Sequence, residues 1–235
     1  MRETRLAGSI TIDLRGFGQY ADDRAENVNL PAQAKHVIRH LEALGVDRYH
    51  LVGHSVGGAI SALVAVTHPE RVVSLVSIEG NFTLDDAFMA SRIAAMRLFE
   101  VEALLAGFES DLAGWLAAKG IATGAAEISL ARLWLANQPA RTLLAQARSV
   151  MATTTGSAWE ALLSRVFSAG RRFHLIAGER SRCGWHVPGW VAANAQSFTI
   201  IDGAGDFPMI EDPPAFERLL LQVVLAADSR GAARG

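Results

Sequence analysis

A single cysteine, Cys183, stands among the 235 residues. An internal disulfide is therefore impossible, and no cysteine-based metal site can be built. Long apolar runs are missing too. Half of the chain is hydrophobic (50%), yet no stretch approaches the roughly 18 residues of a membrane span. Neither sign of charge dominates, with 22 Lys and Arg against 24 Asp and Glu and a formal net charge of −2. No basic stripe of the kind that grips nucleic acid is present, so neither nucleic acid nor membrane is expected as a partner. The opening Met1-Arg2-Glu3-Thr4-Arg5 leads into no signal-peptide apolar block, and the expected location is the cytoplasm. Internal repeats and low-complexity tracts are also lacking. What remains is the composition of a soluble globular protein with one substantial core.

The chain reads as alternating strands and helices at both ends. Ser9-Ile10-Thr11-Ile12-Asp13 predicts a short strand, followed at once by the turn-rich Arg15-Gly16-Phe17-Gly18. Asn29 can cap the next helix, with Pro31 near its first position, where a missing N–H costs little. Val37, Ile38, Leu41 and Leu44 recur at helical spacing, and Gly45 is a natural stop. Tyr49-His50-Leu51-Val52 is a strand, and a small-residue helix follows Ser55. Val72 to Ile78 is an apolar, β-branched run typical of a buried parallel strand. Strands return at Phe173–Ala177 and Ser197–Ile201, and a final helix follows Pro213-Pro214. Between about Leu84 and Ala169 only helical patterning appears. The fold expected is α/β, a mostly parallel doubly wound sheet with an inserted helical cap. Its parts are a first core portion at 1–81, the cap at 82–170, a second core portion at 171–227 and a disordered tail at 228–235.

Gly53-His54-Ser55-Val56-Gly57-Gly58 matches G-x-S-x-G between an expected strand and an expected helix, the context this motif needs. A sharp turn there would hold Ser55 in a strained conformation. Gly53 and Gly57 are expected because a Cβ at either would collide with neighbouring elements. Ser55 would sit at a helix N-terminus, where the Val56 N–H could stabilise an oxyanion. Other patterns carry less. Gly16-Phe17-Gly18-Gln19-Tyr20-Ala21 imitates a dinucleotide loop, but Asp22, Asp23, Asn27 and Pro31 intervene where a helix should begin, so no cofactor is expected. His36 and His40 lie four apart on one helix without a following glutamate, and an exposed face accounts for them better than a metal. Trp115, Trp134 and Phe88 could line an acyl pocket, although aromatics at helical spacing are more often core.

Three segments together carry a family resemblance. Asp13-Leu14-Arg15-Gly16-Phe17-Gly18 resembles the D-x-R-G-x-G stretch that precedes the elbow in cap-bearing α/β-hydrolases. Gly203-Ala204-Gly205-Asp206-Phe207-Pro208, running into Glu211-Asp212-Pro213, is similar to their G-x-G-H-x-P…E-x-P segment. The resemblance covers Ile10 to about Val224 and implies a serine hydrolase acting on a small or medium ester, thioester or lactone. It places Ser55 as nucleophile and Val56 N–H in the oxyanion hole. Glu79, just after the Val72–Ile78 strand, resembles the acid of members that carry it one strand early. Glu179 is the alternative acid.

Two departures stand out. Asp206 occupies the position of the family's catalytic histidine, and a carboxylate is a poor proton relay near neutral pH. His186, in the loop after Phe173–Ala177, is the candidate substitute base. The D-x-R-G-x-G stretch also begins close to Met1, and the expectation is that the family's earlier strands and its His-Gly oxyanion loop have no counterpart. The expected consequences are an impaired enzyme or a non-catalytic ligand-binding descendant, or else a truncated copy. An exposed sheet edge would invite a homodimer.

Overall fold

The computed structural model describes residues 8–170 and 172–232. Its centre is an all-parallel sheet of four strands, β1 (Tyr49–His54), β2 (Val72–Ile78), β3 (Arg172–Gly178) and β4 (Ser197–Ile201), in the order β1-β2-β3-β4. β2 and β3 are buried almost residue for residue, as strands covered on both faces must be. β1 alternates instead: Tyr49, Leu51 and Gly53 are buried while Val52 is 43% exposed.

Helix α1 (Leu30–Ala43) begins where the sequence indicates. Asn29 accepts the Ala32 N–H at 2.9 Å, and Gly45 beyond its end takes φ +67°. Its buried face carries Ile38, Leu41 and, less predictably, a fully buried Gln33. The Gln33 amide spans a turn: Oε1 accepts the Arg15 N–H at 2.8 Å and Nε2 donates to the Arg15 carbonyl at 2.9 Å. The two glycines beside it have positive φ, and a Cβ on Gly16 would stand 2.6 Å from Thr142.

Helix α2 (Val56–Thr67) joins β1 to β2 and packs with α1 on one face of the sheet, in a cluster that includes Leu51, Leu75 and Leu175. The other face, with Val76, Ile78 and Ile176, is covered by α11 (Pro213–Ala232). That helix continues past Asp228, where the sequence reading placed a disordered tail; residues 233–235 of that tail lie outside the described residues. Between β2 and β3 the chain runs through α3 (Phe88–Ala94), α4 (Leu98–Ser110), α5 (Leu112–Ala118), α6 (Ala125–Ala136), α7 (Ala140–Thr153) and α8 (Gly156–Ser168). Helices α9 (Gly189–Asn194) and α10 (Pro208–Glu211) complete the second half.

One expected strand does not form. Ser9 to Asp13 lies outside any ladder. Its residues have the right β-branched character, but a strand exists only with a partner, and β1 pairs with β2 alone among the described residues. The Asp13 carbonyl instead meets His36 Nε2 at 3.0 Å.

Candidate active site

The turn between β1 and α2 puts Ser55 at φ +50°, ψ −122°, a conformation that costs a non-glycine residue about 1–3 kcal/mol and persists only where its surroundings enforce it. Those surroundings are specific. The Ser55 N–H donates to the Ile78 carbonyl at 2.9 Å, tying the turn to the end of β2. A Cβ on Gly53 would stand 2.3 Å from the Gly57 carbonyl oxygen, so only glycine fits. Gly57 departs from expectation: a Cβ there would meet nothing within 4 Å, because at the second helical position it points into open space. The crowded second glycine is Gly58, whose Cβ would lie 3.0 Å from Ser77 Oγ and 3.1 Å from Gly80 Cα. Val56 is the first residue of α2, and its N–H is one of those a helix leaves without an intrahelical acceptor.

Glu79 and Asp206 meet beside this turn. Glu79 has φ +45°, the other non-glycine left-handed residue among those described. Its Oε1 accepts from the Gly178 N–H at 2.9 Å and from the Ser181 hydroxyl, so the side chain bridges the ends of β2 and β3. Burial pushes the Glu79 carboxyl up; the Ser181 hydroxyl and Gly178 N–H oppose this, while the charge of Asp206 adds to it. Burial would also raise Asp206, but a hydrogen bond and charge from His54, with Lys119 and a hydrogen bond from Glu79, outweigh it and hold Asp206 below the usual carboxylate range. Two neighbouring carboxyls pushed in opposite directions divide the roles between them: Glu79 keeps its proton longer, and Asp206 carries the charge.

The loop bearing Asp206 is fastened at several points. Glu211 accepts the Gly205 N–H at 3.0 Å and the Phe207 N–H at 3.1 Å. Arg180 pairs with Glu211 and donates to the Gly120 carbonyl at 3.1 Å. Gly178 allows the approach, since a Cβ there would lie 2.1 Å from the Gly205 oxygen. His54 completes the anchorage, with Nε2 at 2.8 Å from the Asp206 main-chain oxygen and its ring 5.1 Å from that of Phe207.

A cavity of about 170 Å³ opens onto Ser55 and Val56. It is small beside the roughly 300–1,000 Å³ of drug-sized ligand pockets. Its far wall is α7, which presents Leu143, Gln146, Ala147 and Val150, spaced i, i+3, i+4, i+7 as one helix face requires. Ile93 and its neighbours on α3 form a side. Asp86 also borders it, but its carboxylate is occupied: it accepts from the Phe82 and Thr83 N–H groups, the Thr83 hydroxyl and the His186 N–H.

The remaining sequence candidates fall elsewhere. Glu179 is exposed and accepts the Gly203 N–H at 2.7 Å. His186 has an exposed side chain and does not line the cavity. Trp115 and Trp134 form an aromatic cluster with Phe108 and Phe207 rather than a cavity wall, and Phe88 is 73% exposed. Two residues the sequence reading passed over belong to the site: His54, adjacent to the nucleophile position, and Gln146. The available signal for Gln146 was a polar residue within the apolar stripe of α7.

With this geometry in place, the comparisons agree on class. The model of the alpha/beta hydrolase family matches residues 2–219, and the chain belongs to that family. RutD of Caulobacter sp. (strain K31), which carries the name of a carbamate hydrolase, is 32% identical over 71 residues, covering 30% of this chain and 26% of RutD. The match thus spans about a quarter of that relative's length. A hydrolase from Pseudomonas aeruginosa PA01 superposes with a TM-score of 0.66 at 22% identity, over 90% of this chain and 77% of that one. The N-acyl homoserine lactonase AidH, complexed with N-butanoyl homoserine, gives 0.66 at 16% identity, over 92% of this chain and 77% of its own. Likenesses this distant establish the fold. Among the described residues, no helix is long and apolar enough to cross a membrane.

Proposed function

We propose that this hydrolase-family protein is a serine-nucleophile acyl hydrolase for small carboxylic esters, thioesters or lactones, working slowly because a carboxylate replaces the histidine. The observation that carries the reading is Ser55, held at φ +50° at the start of α2 and facing a small cavity. Ser55 Oγ attacks the acyl carbonyl and the Val56 N–H holds the developing oxyanion. Asp206 takes the hydroxyl proton and returns it to the leaving alkoxide or thiolate. Water then attacks the acyl-serine, giving a proton to Asp206, which passes it to Ser55 Oγ as the acid departs. Glu79, which keeps its proton to higher pH than an ordinary carboxyl, lies beside Asp206 and orients that carboxylate while protonated. A base held below the usual carboxylate range accepts a proton poorly, so turnover is low. The names of RutD and AidH support acyl chemistry of this class without choosing among its substrates.

A second reading, a ligand-binding protein of hydrolase descent, is favoured by the same carboxylate at the histidine position. Hydrolysis of a nitrophenyl butyrate by the native protein, Ser55→Ala and Asp206→His separates the two. Native turnover abolished by Ser55→Ala and raised by Asp206→His supports the enzyme. Absence of turnover in all three folded proteins, with acyl ligands still raising Tm, supports the binding protein.

A further inference from the structure

Asn81 brings a buried polar side chain to the cavity beside the nucleophile. It is 5% exposed and borders the cavity together with Ser55. The chain leads it there past the elbow: the Ile78 carbonyl accepts the Ser55 N–H at 2.9 Å, and a Cβ on Gly80 would stand 3.6 Å from the Ser55 carbonyl oxygen. Asn81 Nδ2 donates to the Asp86 carbonyl at 3.0 Å. That bond settles which end of the amide is which, since a flipped amide would set two carbonyl oxygens against each other. The other end, Oδ1, receives no donor from the described residues. Nor is it sealed. Among the described residues, the sealed side-chain atoms without a partner belong to Thr142, Gln146, Trp159 and His174. Oδ1 is outside that set, so part of it lies within reach of a water-sized group, and the space that Asn81 borders is the cavity. Much of the remaining wall is apolar, through Met89, Ala90, Ile93, Leu143 and Ala147. The Asp86 carboxylate already has four donors on it.

We infer that Asn81 is a specificity-determining residue, and that the cavity takes short acyl groups carrying a neutral hydroxyl or N–H which donates to Asn81 Oδ1. A few fixed polar groups in an apolar pocket are what orient a ligand. Asp206, which serves the leaving group, does not border this cavity, so the part of the ester seated here is the acyl group. That assignment rests on the proposed acyl-hydrolase reading; the preference for a donor needs no turnover. A cavity of about 170 Å³ admits only a short acyl group, which sets donor and reacting carbonyl a few bonds apart. An ammonium group would be stripped of its water against an apolar wall, so the donor is neutral. An acyl group of the same size without a donor covers Oδ1 without satisfying it, and binds more weakly.

The test is binding of uncleaved esters to the Ser55→Ala protein, followed by NMR titration. Methyl 2-hydroxybutyrate and methyl 3-hydroxybutyrate are compared with methyl butyrate and with methyl methoxyacetate, which offers only acceptors. At least one hydroxy ester is expected to bind about fivefold to tenfold more tightly than methyl butyrate, and the ether ester no more tightly than methyl butyrate. Placing Asn81→Leu or Asn81→Ala in the same background should erase the preference while methyl butyrate still binds. Equal affinities across the series would overturn the inference, as would no binding at all, a preference for the ether ester, or a hydroxy preference surviving both variants. The ligand series on unaltered Asn81 decides the matter even where a variant folds poorly. If the native protein hydrolyses no ester yet the hydroxy preference holds, the serine-hydrolase reading fails and the donor preference stands. Turnover without the preference gives the reverse.

Discussion

His54 Nε2 stands 2.8 Å from the main-chain oxygen of Asp206, and a carbonyl can only accept, so this nitrogen carries the proton. The histidine beside Ser55 is thereby committed as a donor at Nε2. It holds the Asp206 loop and helps keep the Asp206 carboxyl low. His54→Leu leaves the carbonyl without its donor and removes the compensating charge. The expected results are a stability loss of about 1–3 kcal/mol in urea denaturation and an Asp206 carboxyl that titrates higher. A variant as stable as the native protein would show that the contact is incidental.

Asp206→His restores a group whose ordinary pKa lies close to neutral. Positioned proton transfer contributes about 10²–10⁴-fold, and nitrophenyl ester turnover should rise by a factor in that range. The gain should disappear in the Ser55→Ala, Asp206→His double variant.

Glu79 is held above its ordinary 4.5, chiefly by burial. The folded state therefore binds this proton more tightly than the unfolded chain does. Stability falls as pH rises from 4.5 through the raised value. Glu79→Gln preserves the neutral shape and escapes that loss. Its Tm advantage over the native protein should grow as pH goes from about 4 to about 7, and a constant difference would contradict the assignment.

His174 works in the opposite sense. Buried against β4, with Nδ1 2.8 Å from Ser197 Oγ, it is pushed down from 6.5 to about 4 by burial and by the charges of Arg172 and His50. Unfolded chains take up a proton that the native state refuses, so stability is lost as pH falls from 6.5 towards about 4. His174→Gln should flatten the fall of Tm across that window.

Glycines of the elbow give a sharp contrast. Gly53→Ala drives a Cβ into the Gly57 carbonyl, and the protein should fail to accumulate in folded form. Gly57→Ala meets open space within a helix, where alanine is favoured over glycine by about 1 kcal/mol, so Tm should hold or rise. Two substitutions four residues apart, in one motif, are expected to have opposite outcomes.

The parts legible in the sequence are those decided locally. The strand Val72–Ile78 was visible because a mostly apolar, β-branched run declares its own burial, and Ser197–Ile201 because it carries β-branched residues, although most of it is only half-buried. The elbow was visible because strand, turn and helix are consecutive. Ser9–Asp13 misled for the complementary reason: β propensity is a property of residues, but a ladder is a property of pairs. The cavity wall was hidden because nothing in Ala140–Thr153 says which of its faces looks onto Ser55. Only once α7 lies over the elbow does Gln146 take its place in that wall. Trp115 and Trp134 were suggestive as bulky apolar groups, and only their packing on Phe108 and Phe207 decided their use.

Arg180 reaches in two directions, to Glu211 under the Asp206 loop and to the Gly120 carbonyl between α5 and α6. The Asp206 loop and the turn between α5 and α6 thus share one fastening. A displacement of the Gly120 turn acts on the same side chain that pairs with Glu211 beneath the Asp206 loop. Loosening the Gly120 turn, as by Gly120→Ala at its positive φ, is therefore expected to loosen the Asp206 loop as well, although that turn lies on another pair of helices.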